Sequence, residues 1–126
     1  MAASFGLNDV FSRTFTAGED LNAFDAVTLK SDGTVEASDA DTDSVLGFCS
    51  RDCKSGDDVA VRLIGAPSNN ATAAGTVAVG ALVYPNAAAG RVGASGSEGT
   101  NPVLGVAVTA AASAGDTIVI LPVRTA

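Results

Sequence analysis

Histidine and tryptophan are absent from this chain, and there is one tyrosine and one methionine. Without histidine the commonest general base is missing, along with the commonest metal-binding ring. Nucleophilic catalysis would then rest on a lysine, serine or thiol activated by some other group. The two lysines, Lys30 and Lys54, both fall in or beside polar, turn-like stretches. Cations are also scarce: 7 Lys and Arg stand against 14 Asp and Glu, a net charge of −7. No basic patch can be built from so few, so neither nucleic acid nor an anionic membrane surface is an expected partner. No apolar run is long enough to cross a bilayer. Residues 1–7 lack the basic start and apolar stretch of a signal peptide, so synthesis in a cytoplasm is expected.

The two cysteines, Cys49 and Cys53, are too few for a zinc site and are spaced C-x3-C rather than C-x-x-C. In a reducing compartment they read as structural thiols. No cofactor or metal is expected. Asp39-Ala40-Asp41-Thr42-Asp43 opens like a calcium loop, but Ser44 stands where the loop needs glycine and Ser50 where it needs glutamate. It reads as a solvated acidic loop. The glycines at 90, 93, 96 and 99 are evenly spaced, yet no lysine and helix follow to make a phosphate loop. Asp57 and Asp58 form a carboxylate pair, which reads more simply as a turn before a strand. No enzymatic activity is expected.

What the chain does have is small apolar residues. Hydrophobic residues make up 47% of the sequence but aromatics only 5%, so alanine and valine must fill the core. Such side chains bury little area each, and burial energy scales with area. A fold of this kind gains from oligomerisation. The length of 126 residues suits one domain with its own core. Charge is uneven: residues 1–65 hold 12 acids and 5 bases, net −7, whereas residues 66–126 hold 2 of each.

An internal repeat organises the chain, with copies at about residues 17–65 and 75–122. A short apolar strand opens each copy, Asp25-Ala26-Val27-Thr28-Leu29 against Gly80-Ala81-Leu82-Val83-Tyr84. A glycine turn and a second strand follow, Gly33-Thr34-Val35 against Gly90-Arg91-Val92. A polar loop then leads to Val45-Leu46-Gly47 or Val103-Leu104-Gly105. Both copies close on Gly-Asp and an apolar strand, Gly56-Asp57 to Leu63 and Gly115-Asp116 to Leu121.

These segments read as β structure. Val59, Val61 and Leu63 alternate with Asp58, Ala60 and Arg62, the period of a half-buried strand. Ser31-Asp32-Gly33 is a tight-turn signal. Ile118-Val119-Ile120-Leu121 is continuously apolar, and so is expected to be covered on both faces. No stretch shows a convincing helical period. Many short strands with glycine turns give an all-β body, a small barrel or a sandwich, built from two similar repeats. Residues 86–101, rich in Ala, Gly and Ser, read as an exposed loop.

Residues 1–16 precede the repeat and hold Phe5, Phe11 and Phe15, three of the chain's five phenylalanines, with Leu7 and Val10 among them. They read either as an extra edge strand on the core or as an arm that docks on a neighbouring subunit. The domain reading taken forward is an N-terminal arm, 1–16, and a single β domain, 17–126.

The stretch Ala17-Gly18-Glu19-Asp20-Leu21, then Asp25-Ala26-Val27-Thr28-Leu29, Asp32-Gly33-Thr34-Val35, Val45-Leu46-Gly47-Phe48 and Gly56-Asp57-Asp58-Val59-Ala60-Val61 resembles the capsid cement, or decoration, proteins of tailed double-stranded DNA bacteriophages. The resemblance covers about residues 17–64, and the second copy echoes it. It implies a tulip- or barrel-like body that forms homotrimers on the outer surface of the phage head. There such proteins bridge major capsid proteins and stabilise the expanded capsid. Since partner contacts in the family often use a terminal arm, it points to Phe5, Leu7, Val10, Phe11 and Phe15 as the capsid-binding residues. Two other readings stay open from the residues alone. One is a carbohydrate-binding β module of a virion or host-attachment protein, with Phe48 or Tyr84 as platform. The other is an accessory β domain of an enzyme.

Overall fold

The computed structural model describes residues 11–39, 44–94 and 103–122. Ten strands and no helix occur among the described residues. The first five are β1 (Ser12–Ala17), β2 (Ala26–Leu29), β3 (Thr34–Ala37), β4 (Gly47–Cys49) and β5 (Asp58–Leu63). They close into a barrel in the order β1-β3-β2-β4-β5, with β5 pairing back onto β1. The second five are β6 (Asn69–Thr72), β7 (Leu82–Pro85), β8 (Val92–Gly93), β9 (Gly105–Ala107) and β10 (Thr117–Leu121). They form a curled sheet in the order β6-β10-β9-β7-β8.

Read around the ring, the two orders are the same, so the sequence repeat is a repeat of topology. Position matches position by shared partners. Val27 pairs with Gly47 as Val83 does with Gly105. Leu29 pairs with Val35 as Pro85 does with Val92. Leu21 bridges Cys53 as Val77 bridges Ala111. The first strands, β1 and β6, also correspond: Phe15 lies opposite Val59, and Ala71 lies opposite Ile118. The repeat is hardest to read at these strands, because Arg-Thr-Phe-Thr-Ala and Asn-Asn-Ala-Thr share little.

The repeat is offset by one residue from the sequence match of Asp25–Leu29 with Gly80–Tyr84, which sets Val27 against Leu82. The pairing instead matches Val27 with Val83, one residue further on. With a side-chain period of two, that slip exchanges the inner and outer faces of the strand.

Turn chemistry sets the hairpins. In the β2–β3 turn, Gly33 has φ +88°, and its N–H donates to the Lys30 carbonyl at 2.9 Å. The Asp32 carboxylate accepts from the Thr34 N–H and hydroxyl at 3.0 and 2.7 Å. The β7–β8 turn repeats the device with Gly90 at φ +75° and Asn86 Oδ1 accepting from the Ala88 N–H at 2.9 Å. The Gly-Asp motif is a turn lock as well: Asp57 accepts from the Lys54 N–H, and Asp116 from the Ala112 and Ser113 N–H groups.

Two cores result. The smaller fills the barrel with Ala17, Leu21, Val27, Val35, Cys49, Cys53, Val59 and Val61. The larger fills the curled sheet around Val83, Ile118 and Ile120, and it also takes in Ala26, Val45 and Phe48 from the outside of the barrel. The two units are therefore joined by packing. Hydrogen bonds reinforce the junction: the Ala26 N–H donates to the Gly90 carbonyl at 2.9 Å, and the Gly90 N–H to the Ser38 carbonyl at 2.7 Å.

The second unit does not close as fully as the first. Its β6 meets β8 only through the parallel bridge Ala73–Val92, where β1 and β3 share two paired positions. A two-residue β8 has no length for more. That strand falls within residues 86–101, expected above as a loop; residues 95–101 lie outside the described residues.

Candidate functional site

Lys54 pairs with Asp20 at 3.7 Å, and both side chains are exposed. Asp57 is engaged in its turn and Asp58 points to solvent, so the two make no carboxylate dyad. No group of three potential metal ligands occurs among the described residues. Of the acidic loop, residues 40–43 lie outside them.

Cys49 and Cys53 are both free and buried in the barrel core. Burial pushes the Cys49 thiol up to about 12, with the neighbouring Cys53 and Asp25 adding to the rise. A thiol so placed is neither nucleophile nor metal ligand at neutral pH. The equivalent positions in the second unit are Ala107 and Ala111, so the fold asks only for small apolar side chains there.

Phe48 and Tyr84 are buried. Neither can serve as an exposed platform for a sugar ring. Phe24 is half-buried with φ +69°, where the second unit has Gly80. It lines a shallow groove of about 290 Å³ between the units, with Phe48, Arg62 and Asn69.

Of the five residues singled out near the N-terminus, Phe5, Leu7 and Val10 lie outside the described residues. Phe15 sits in β1 and packs its half-buried ring against the barrel core. Phe11 is also half-buried: its carbonyl accepts from the Leu63 N–H at 2.7 Å, and its ring lies 5.9 Å from the Arg62 guanidinium carbon. The structure thus ties Phe11 and Phe15 to the barrel wall.

Sequence reasoning missed one surface. The outer faces of β7, β9 and β10 carry Leu82, Val108 and Leu121 exposed, with Val106 and Val119 half-buried beside them. The run Ile118 to Leu121 is therefore covered on one face and largely open on the other, contrary to the expectation of cover on both. The signal was present in its lack of alternation, which fits a second apolar contact as well as an inner layer.

A closed five-stranded barrel thus packs against a curled five-stranded sheet of the same strand order. The protein-family model for phage cement proteins matches residues 6–122. The chain belongs to the phage cement protein family. This is a structural family without enzymatic activity, and its members are components of the phage head. Among solved structures, the base of the head fibre gp8.5 of bacteriophage phi29 has the same fold, with a TM-score of 0.71 at 19% identity, covering 90% of this chain and 94% of that one. No curated protein sequence matches the chain. The cement family match extends well beyond the residues 17–64 that carry the resemblance in the sequence, taking in most of the segment before β1 and the whole second unit.

Proposed function

We propose that the chain attaches to the outer surface of the phage head and stabilises the expanded capsid by bridging major capsid proteins. The observation that supports this reading best is the cement-family match across both units. A two-unit β body joined by a shared core suits it. Attachment to the expanded lattice alone would stabilise that lattice by linkage. An assembly that touches several capsid subunits at once gains from multivalency, so individually weak contacts give tight attachment. A homotrimer would supply that multivalency.

The attachment residues proposed are Phe5, Leu7 and Val10, with the outer side of Phe11. Phe15 would act indirectly by holding β1 in the wall. The arm is then the stretch before β1, since Ser12 to Ala17 already belong to the barrel.

The test is sedimentation of expanded heads mixed with purified protein. Saturable co-sedimentation and a higher temperature of DNA release are expected. A variant lacking residues 1–10 keeps every barrel strand and should lose attachment by at least ~10-fold in affinity, about 1.4 kcal/mol. A full-length protein that never sediments with heads rejects the reading, and a truncated one that still does rejects the arm.

A further inference from the structure

The two units differ in chemistry at one equivalent place. In the first, Phe48 pairs with Arg62 across β4 and β5, the Phe24 N–H donates to the Cys49 carbonyl at 2.8 Å, and the Ser50 N–H donates to the Ala60 carbonyl at 3.1 Å. The second unit makes the same three links with other residues. Val106 pairs with Leu121, the Gly80 N–H donates to the Ala107 carbonyl at 2.8 Å, and the Val108 N–H donates to the Val119 carbonyl at 2.9 Å. Two rings, a hydroxyl and a guanidinium thus stand where the other copy has glycine, two valines and leucine. The strands form with either set, so the fold alone does not call for the first.

Phe24, Phe48, Ser50 and Arg62 line the groove of about 290 Å³ between the units, together with Asn69 and Asn70 of β6. Phe24 holds φ +69°, a left-handed conformation that suits Gly80 (φ +88°) and costs a bulky residue energy. Backbone held in this way clusters at ligand sites. The Phe24 side chain is half-buried, so part of its ring is open at the groove. Asn69 is 4% exposed; its Nδ2 donates to the Leu63 carbonyl at 3.3 Å, but its Oδ1 is buried without a partner. Few buried acceptors stay unpaired, because the lost hydration is then uncompensated. Arg62 is held in the groove wall by its Nε, which donates to the Ser68 carbonyl at 2.8 Å.

These groups define the ligand. No acid lines the groove, so a cation has no counter-charge there. An anion would gain from Arg62 but would bring a second acceptor against Asn69 Oδ1, on a chain of net charge −7. What fits is a neutral molecule with an apolar face and hydroxyls that both donate and accept. A groove of this volume is at the small end of ligand sites, which suits a single ring. We propose that the groove binds a neutral sugar residue. Its C–H face lies on the Phe24 ring, one hydroxyl donates to Asn69 Oδ1 at the groove floor, and others accept from Arg62 and Asn70. Gly80, Val108 and Leu121 offer no such groups in the second unit, so each chain has one site. The site stands apart from the capsid reading and operates in the free protein.

The experiment is an NMR titration of the isotope-labelled full chain with the methyl glycosides of glucose, galactose, mannose and N-acetylglucosamine. At least one should saturably shift the backbone amides of Phe24, Ser50 and Asn70 and the side-chain amide of Asn69, with a Kd of ~1 mM. An array of immobilised glycans then separates the sources: signal there means a residue presented on a larger glycan, and its absence a free sugar. Phe24→Gly and Arg62→Leu each install the residue that the second unit carries at the same position. Both should fold, as checked by circular dichroism, and each should weaken binding at least ~10-fold. Glycosides that shift nothing overturn the proposal, as do shifts centred away from the groove or binding that persists unweakened in either folded variant. So do groove signals that move on deletion of residues 1–10 while no sugar binds, which would give the groove to the chain's own N-terminal segment.

Discussion

At the residue scale, the least comfortable group is Asp25. It stands just before β2 at the junction of the units, with its carboxylate accepting from the Asn22 N–H at 2.9 Å. Burial pushes its carboxyl above the ordinary value of 3.8, outweighing that hydrogen bond and the pull of Arg91. A carboxyl whose folded pKa exceeds its unfolded one is held protonated more tightly in the folded state. Its ionisation costs stability as pH rises through that interval, and below 3.8 the cost is absent. Asn keeps an acceptor for the Asn22 N–H without a charge. Asp25→Asn should therefore melt above wild type at pH 7, with the difference shrinking towards zero at pH 3; a variant that melts below wild type at pH 7 would show the charge to be useful.

At the element scale, the repeated Val-Leu-Gly explains itself. Gly47 begins β4 and Gly105 begins β9. A Cβ at either would collide with a carbonyl oxygen of the next strand, that of Arg62 or Leu121. In each unit this is the place where the short fourth strand is pressed between its neighbours, and backbone cannot give way as a flexible side chain can. Gly47→Ala and Gly105→Ala should each cost about 1–3 kcal/mol, by analogy with overpacked cores. Urea titration reads this directly, and a loss under ~0.5 kcal/mol would mean that the strands can part at little cost.

At the scale of the whole molecule, the shared core decides how the chain unfolds. Ala26, Val45 and Phe48 belong to the barrel by sequence but to the second unit's core by packing. Separating the units would expose them, so both should unfold in one transition. The chain contains its own reporters: Tyr84, the single tyrosine, sits in the second unit, and Cys49 and Cys53 sit in the first. Urea midpoints from tyrosine fluorescence and from thiol labelling should coincide, whereas tyrosine changing well before the thiols react would mean that the second unit melts alone.

Much of this was legible in the chain itself. The glycine turns, the Gly-Asp locks and the period of Val59, Val61 and Leu63 are local chemistry, and local chemistry is written in adjacent residues. The absence of histidine, which removes the commonest general base, is read from the chain as directly. Other features depend on what comes near in space. Nothing adjacent to Ser12–Ala17 says that it closes a barrel, because its partners Thr34 and Val59 lie far along the chain. Nothing in Ala26 or Leu82 says that one is covered and the other bare, because equivalent strands meet different neighbours. The repeat and its inner faces follow from sequence, since side-chain period and turn geometry act over a few residues. The closure of one unit and the curl of the other follow only from the packed molecule, where Ala26, Val45 and Phe48 on the outside of the barrel complete the second unit's core.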